Sequence, residues 1–312
     1  MQIRSNSTRK AVTGILVALC LFLSATAATF AAERSFDRNL SVNGPVTLHV
    51  NTGSGYIHIS SGGDSQVHIV GHVKSNNSWF GGSSDDAVEK VASNPPISQA
   101  GNIISVGEDH SDWGHHVTID YDITTPANTM LVAESGSGDL QLSGIGGTVR
   151  AHTGSGSVHA DKLGSGSWLE SGSGSIEANN LQGATSLQTG SGSIRAQLSA
   201  AGDVTASTGS GSIDLGNVQG ALKADTGSGE IRVTGQPTAP WKLETGSGSI
   251  NLRLENAHFN LEAETGSGSV KSDPPLTMTT HGTIDKHHVS GTVNGGGPTI
   301  RARTGSGDIH IQ

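Results

Sequence analysis

A short string, threonine or serine followed by Gly-Ser-Gly and then an alternating apolar run, returns down most of this chain. It stands at Ser135-Gly-Ser-Gly-Asp-Leu-Gln-Leu142, Thr153-Gly-Ser-Gly-Ser-Val-His-Ala160, Thr189-Gly-Ser-Gly-Ser-Ile-Arg-Ala196 and Thr304-Gly-Ser-Gly-Asp-Ile-His-Ile311, among other copies. The first glycines fall at 136, 154, 172, 190, 209, 227, 246, 266 and 305, so the intervals are 18, 18, 18, 19, 18, 19, 20 and 39. A degenerate copy, Thr280-His-Gly-Thr-Ile-Asp285, falls inside the longest interval. A period this short and regular restricts the chain to architectures in which each repeat buries its apolar face only against its neighbours.

One repeat can be written out from Gly172 to Gly190. Ile176 and Ala178 point inward from one short strand, Leu181 closes a turn, Gly183 permits a bend, and Thr185, Leu187 and Thr189 form a second strand. Ile194, Ile213, Ile231 and Ile250 recur at the place of Ile176, and Ala206, Ala224, Leu243 and Ala263 stand opposite. Two strands and two bends use up one period, which predicts an all-β fold: a single β-solenoid with coils of about 18 to 20 residues. Crossover preference makes it right-handed. Hydrophobic residues at 33%, charged residues at 14% and 45 glycines suit a thin repeated core better than one wide one. The corner glycines are expected to supply positive φ angles, and the aligned serines and threonines to form hydrogen-bonded ladders along the outside. The final copy is expected to be an open stack end at which a homodimer could form.

The first 31 residues read as a signal peptide: Arg4, Arg9 and Lys10, an apolar run from Ala11 to Phe22, and a small-residue stretch suited to cleavage near Ala31 or Ala32. The chain is then exported from a bacterial-type cell, to periplasm, outer surface or medium, with no transmembrane segment left after cleavage. Residues 32–133 form an irregular N-terminal β part with an inserted loop at 75–101, and residues 134–312 form the regular repeats. In the N-terminal part, strands are expected at Phe36 to Thr52, at Asn102 to Val106, at Val117 to Ile123 and from Met130, with helical turns from Asp85 to Val91. An early copy of the corner stands at Thr52-Gly-Ser-Gly-Tyr-Ile-His-Ile59. Cys20, the only cysteine, lies in the signal, so disulfides and thiol chemistry drop out. The net charge of −9 falls by three more when Arg4, Arg9 and Lys10 leave, which argues against a nucleic-acid partner.

The signal, the early Gly-Ser-Gly corner, Tyr121-Asp-Ile-Thr-Thr-Pro126 before a strand, and the run of repeats together resemble a bacterial adhesin-like family, domain of unknown function 4097. Leu40 to Val50, Val117 to Pro126 and the series from Ser135 carry the resemblance, which covers nearly all of the chain after the signal. It implies an exported or envelope-associated β-solenoid and brings no catalytic residue with it. The excursion from Ser75 to Pro96 departs from simpler members.

Chemistry-bearing residues are sparse. Glu108-Asp-His-Ser-Asp-Trp-Gly-His-His116 offers His110, Asp112, His115 and His116 as metal ligands, against the plainer reading of a solvated hairpin loop. His281, His287 and His288 form a smaller group. The corner acids Asp139, Glu230 and Asp308 are too isolated for a calcium ladder. Asp161, Glu177, Asp214 and Glu244 are dispersed where glycan cleavage would need convergent carboxylates. No cofactor motif is present. Trp79, Phe80, Trp113, Trp168 and Trp241 are candidate partner-binding residues, with capping of the core as their other use. The resulting expectation is a non-enzymatic exported protein that binds an envelope protein or glycan, with a passive envelope scaffold as the alternative and a glycan-cleaving enzyme as the third reading.

Overall fold

The computed structural model describes residues 33–76, 84–107, 117–254, 257–273, 278–280 and 285–312. The signal segment and the 108–116 loop therefore lie outside the described residues.

Two sheets face each other across a thin core, one of 13 strands (sheet A) and one of 14 (sheet B) among the described residues. Each regular coil gives one strand to each sheet, and successive coils pair in parallel and in register. Ile176 stands beside Ile194, Ile194 beside Ile213, Ile213 beside Ile231 and Ile231 beside Ile250 in sheet A. Leu187, Ala206, Ala224 and Leu243 form the matching inward row of sheet B. All of these side chains are buried, so period-two alternation on short strands places the core where the sequence predicts.

The recurrent corner has a different cause from the one expected. None of the glycines at this corner has a positive φ. A Cβ on Gly154 would lie 2.4 Å from the carbonyl oxygen of Gly136 one coil below, and one on Gly156 would lie 2.1 Å from that of Gly138. The glycines are there because adjacent coils touch backbone to backbone. Left-handed torsions occur at the opposite bend, at Gly144, Lys162, Asn180 and Asn217.

The ladder of hydroxyls also lies elsewhere. The threonine or serine before each corner is buried, at Ser135, Thr153, Ser171, Thr189, Thr208, Thr226, Thr245, Thr304 and Thr265. Thr189 Oγ1 donates to the carbonyl of Gly174 in the preceding coil at 2.8 Å and accepts the N–H of Gly192 in its own coil at 3.2 Å. The clamp repeats along the stack, for instance at Thr153, Thr226 and Thr245. The serine after the second glycine forms the outer ladder, with Ser175 Oγ accepting from Ser193 N and Ser193 Oγ from Ser212 N. Asp139 and Asp308 take the same place, accepting the N–H of Ser157 and Ser269 at 2.7 Å, so these corner acids extend a ladder.

At both ends the spatial order departs from the sequence order. The N-terminal strands are β1 (Glu33–Ser41), β2 (Thr47–Thr52), β3 (Ile57–Gly62) and β4 (Gln66–Ser75). They are followed by helix α1 (Ser84–Ser93) and by β5 (Ile97–Ala100), β6 (Ile103–Val106), β7 (Val117–Pro126), β8 (Met130–Ser135) and β9 (Leu140–Ser143). The entry strand expected from Phe36 to Thr52, with its interruption at the Asn43-Gly44-Pro45 turn, is two strands that part at that turn into two sheets, and the inserted loop contains α1 and β5. In sheet A the order is β1, β4, β7, β3, β9, and in sheet B it is β5, β6, β2, β8, so the β2–β3 coil sits between coils that follow it in sequence. Val88 and Val91 of α1 are 1% exposed and join the core at this end.

The C-terminal end repeats the device. Thr299–Thr304 pairs with Trp241–Thr245 on one side and Phe259–Thr265 on the other, and Ile309–Ile311 lies between Ile250–Leu254 and Val270–Ser272. The last copy is therefore internal and not an open stack end. Met278–Thr280 and His288–Val293 pair antiparallel on the outer coil, and residues 281–284 of the expected degenerate copy lie outside the described residues.

Two stability predictions follow from the corner. Gly53 has nothing within 4 Å of its would-be Cβ, whereas that of Gly136 meets the Gly53 carbonyl at 2.3 Å. In urea unfolding, Gly53→Ala is expected to be near neutral and Gly136→Ala to cost at least about 3 kcal/mol. Thr226→Val keeps the shape but orphans the buried N–H of Gly229 and C=O of Gly211, and should cost about 2 kcal/mol while Thr226→Ser costs less.

Candidate binding surfaces

Along most of the stack the outward charges are paired with neighbours. On sheet A, Glu177 faces His159 at 3.8 Å and Asp214 faces Arg195 at 3.8 Å. On sheet B, Glu244 meets Lys242 at 2.7 Å, and Glu262 meets Arg301 at 2.6 Å. Asp161 accepts a hydrogen bond from Asn180 at 2.7 Å. The four carboxylates weighed for glycan cleavage thus sit apart, each with a partner of its own. Glu230 likewise holds Arg232 at 2.7 Å and accepts from Asn251. Such exposed pairs add little stability individually, but they fill the face.

Two places near the N-terminal end break this pattern. The first is a polar cluster on sheet A, built where β3, β7 and β4 lie side by side. Register puts His58 beside Asp122 and Val70 on the other side of Asp122. Asp122 is then reached by His58 Nδ1 at 3.1 Å, by His72 Nε2 at 3.3 Å and by the Tyr56 hydroxyl, which donates at 3.0 Å. Reduced contact with water, this hydrogen bond and the carboxylate charge push the Tyr56 phenol up to about 12, so it remains a donor at physiological pH. Beside it, Asp120 accepts the backbone N–H of Tyr56 at 2.9 Å and holds Lys74 at 2.8 Å. Asp120 thereby plays the part of a corner serine for a coil that has no Gly-Ser-Gly. His68 and Asp37 pair at 2.9 Å further out. No group of three or more His, Cys, Asp or Glu with metal-holding geometry occurs among the described residues.

The second place is on the outer face of sheet B. Ile103 and Met130 are each 55% exposed and occupy one cross-strand row, with Thr47 between them. The next row brings Val132, Arg150 and Trp168 side by side. Trp168 is half-buried, and the Arg150 guanidinium lies 4.8 Å from its ring centroid, a cation–π contact.

The sequence-derived candidates divide accordingly. Trp168 is on this face. Trp241 is not a surface residue: it is 1% exposed and donates Nε1–H to the Gly220 carbonyl at 2.9 Å, because its strand position faces inward. Trp79, Phe80, Trp113, His110, Asp112, His115 and His116 lie outside the described residues, as does His281. The backbone N–H groups of His287 and His288 bond Asp285, whose carboxyl they hold below its usual value. The Tyr56, His58, His72 and Asp122 cluster escapes a linear reading because Asp122 is 66 residues from Tyr56 and 64 from His58; the only signal is polar residues at outward positions.

A protein-family model described as Toastrack DUF4097 matches residues 47–312. A crystal structure described as a putative adhesin from Bacteroides fragilis aligns with 14% identity and a TM-score of 0.36, covering 89% of this chain and 97% of that one. A second, described as a putative cell adhesion protein from Clostridium sporogenes, aligns with 12% identity and a TM-score of 0.20, covering 90% and 99%. No curated protein matches the chain.

Hydrogen bonding to Asp120, and then its charge, hold the Lys74 ammonium above the ordinary lysine value of 10.5. A raised folded value means that the stabilisation is complete below the ordinary lysine value and is lost as pH rises through the folded one. Lys74 is 47% exposed, so Lys74→Met should cost only about 1 kcal/mol at neutral pH. In denaturant titrations the gap between parent and variant should close above the lysine range.

Proposed function

We propose a recognition role from one premise: the chain belongs to the Toastrack DUF4097 family. In this reading it is an exported, non-enzymatic protein of the cell envelope or surface, and its right-handed solenoid carries a binding head at the N-terminal end. The observation that supports the reading is the placement of both irregular surfaces. The β2–β3 coil contributes Thr47 to the apolar row of sheet B and Tyr56 and His58 to the polar cluster of sheet A. The same few coils thus carry an aromatic and apolar patch on one face and a histidine–carboxylate cluster on the other. The later coils, whose outward charges are mostly paired with neighbours, act as a stiff support for the head. The partner is an envelope protein or a glycan. The paired ladders on their own favour a second reading, a passive scaffold.

The test is a glycan-array and envelope pull-down screen with the processed protein. Saturable capture should fall at least tenfold in Trp168→Ala and stay unchanged in Lys223→Ser, which alters a distant coil. Absence of any saturable partner would leave the scaffold reading.

A further inference from the structure

We propose that the N-terminal part of sheet B's outer face is a docking surface for a second copy of this chain, so that the protein associates face to face into a two-fold dimer. This rests on the recognition reading above and names its partner.

Ile103 and Met130 are two of the three exposed large hydrophobic side chains among the described residues, and register places them in one row of one face. Val132 and Trp168 extend that surface in the next row. Ile103 and Met130 alternate with Thr47, and the half-buried Val132 and Trp168 flank Arg150, so apolar side chains gather on two neighbouring rows of one face, as at an interaction site. Isoleucine and methionine offer a sugar no hydrogen-bonding partner, whereas methionine, tryptophan and arginine are the types enriched in the cores of protein interfaces.

Charge selects the occupant. Arg150 lies between Val132 and Trp168, and in the following row Glu134 and Glu170 stand on the strands to either side of it. Glu134 is exposed and has no ion-pair partner among the described residues. A two-fold axis through this region brings Arg150 of each copy toward Glu134 of the other, so the patch is complementary to itself, as an isologous interface requires. The ends of the stack are less suited: α1 closes one and the antiparallel strand pair covers sheet B at the other. Six strands, from β5 to Ser167–Ser171, span the patch. At about 4.8 Å between strands and about 3.3 Å per residue, the face measures roughly 24 by 17 Å, about 400 Å². That is near half of the roughly 800 Å² that each partner gives to a standard interface, so the dimer is a weak and reversible one.

Sedimentation velocity on the processed full-length protein tests this directly. A monomer–dimer equilibrium with a midpoint on the order of tens of micromolar is expected. Ile103→Glu combined with Met130→Glu should weaken it at least tenfold without changing the thermal melting curve, because both side chains are exposed. Arg150→Glu and Glu134→Arg should each weaken self-association, and an equimolar mixture of these two variants should recover a dimer. A single monomeric species at all concentrations, or a dimer indifferent to these substitutions, overturns the proposal. Capture of a glycan or envelope protein by a strictly monomeric chain overturns it too while leaving the recognition reading in place; with neither association, both fall.

Discussion

The approach of one backbone to the next at the Gly-Ser-Gly corner is the constraint on which the stack depends. At this corner the chain turns from sheet B to sheet A, and adjacent turns lie so close that even a methyl group would meet a carbonyl oxygen. The buried threonine just before the glycines makes that closeness productive, since its hydroxyl joins a carbonyl of one coil to an amide of the next. Both polar groups would otherwise lose a partner in a corner that water reaches only in part. Glycine provides the room and threonine fills the hydrogen-bonding need, which explains why the two residue types recur together.

Much of this architecture is legible in the sequence because it is local. The period, the inward places of Ile176 and Leu187, the bend at Gly183 and the helical turns before Asn94 all follow from spacing, and the structure has them. What depends on neighbouring coils is not legible. A glycine required by contact looks the same in sequence as one required by torsion, so the corner glycines read as torsional, while the left-handed torsions at Lys162, Asn180 and Asn217 leave no glycine to mark them. Trp241 shares the inward phase of Leu243 two residues on, so of its two expected uses the core one holds. Asp120 and Asp122, two residues apart on β7, separate into a hydrogen-bonding stand-in for a corner serine and the hub of a surface cluster only when β3 and β4 are set beside them.

The surface divides along the same line. Where coils are nearly identical, outward residues meet their equivalents one rise away, and selection for opposite charges in successive copies yields ladders such as Arg195 with Asp214. Where the N-terminal coils lose the repeat, strands from distant parts of the chain come together and side chains of unlike chemistry converge. Irregularity in the sequence thus marks the part of the surface with individual character. The repeats supply rigidity, and the interruption of the repeats supplies the features a partner can distinguish.

The coil formed by residues 299–311 lies between two coils that precede it in sequence. A chain emerging N-terminus first must leave a vacancy of one coil, with backbone donors and acceptors exposed on both sides in each sheet, until this segment arrives. Repeat arrays ordinarily grow by adding units to an end, and a shortened array is simply a smaller version of the whole. Here shortening removes an inner layer, and the two coils flanking the gap must either close on each other in a new pairing or remain apart. Completion of the array is therefore registered in its interior, and the chain acquires its continuous hydrogen-bonded ladder only when residues 299–311 have been delivered to the same compartment as the rest.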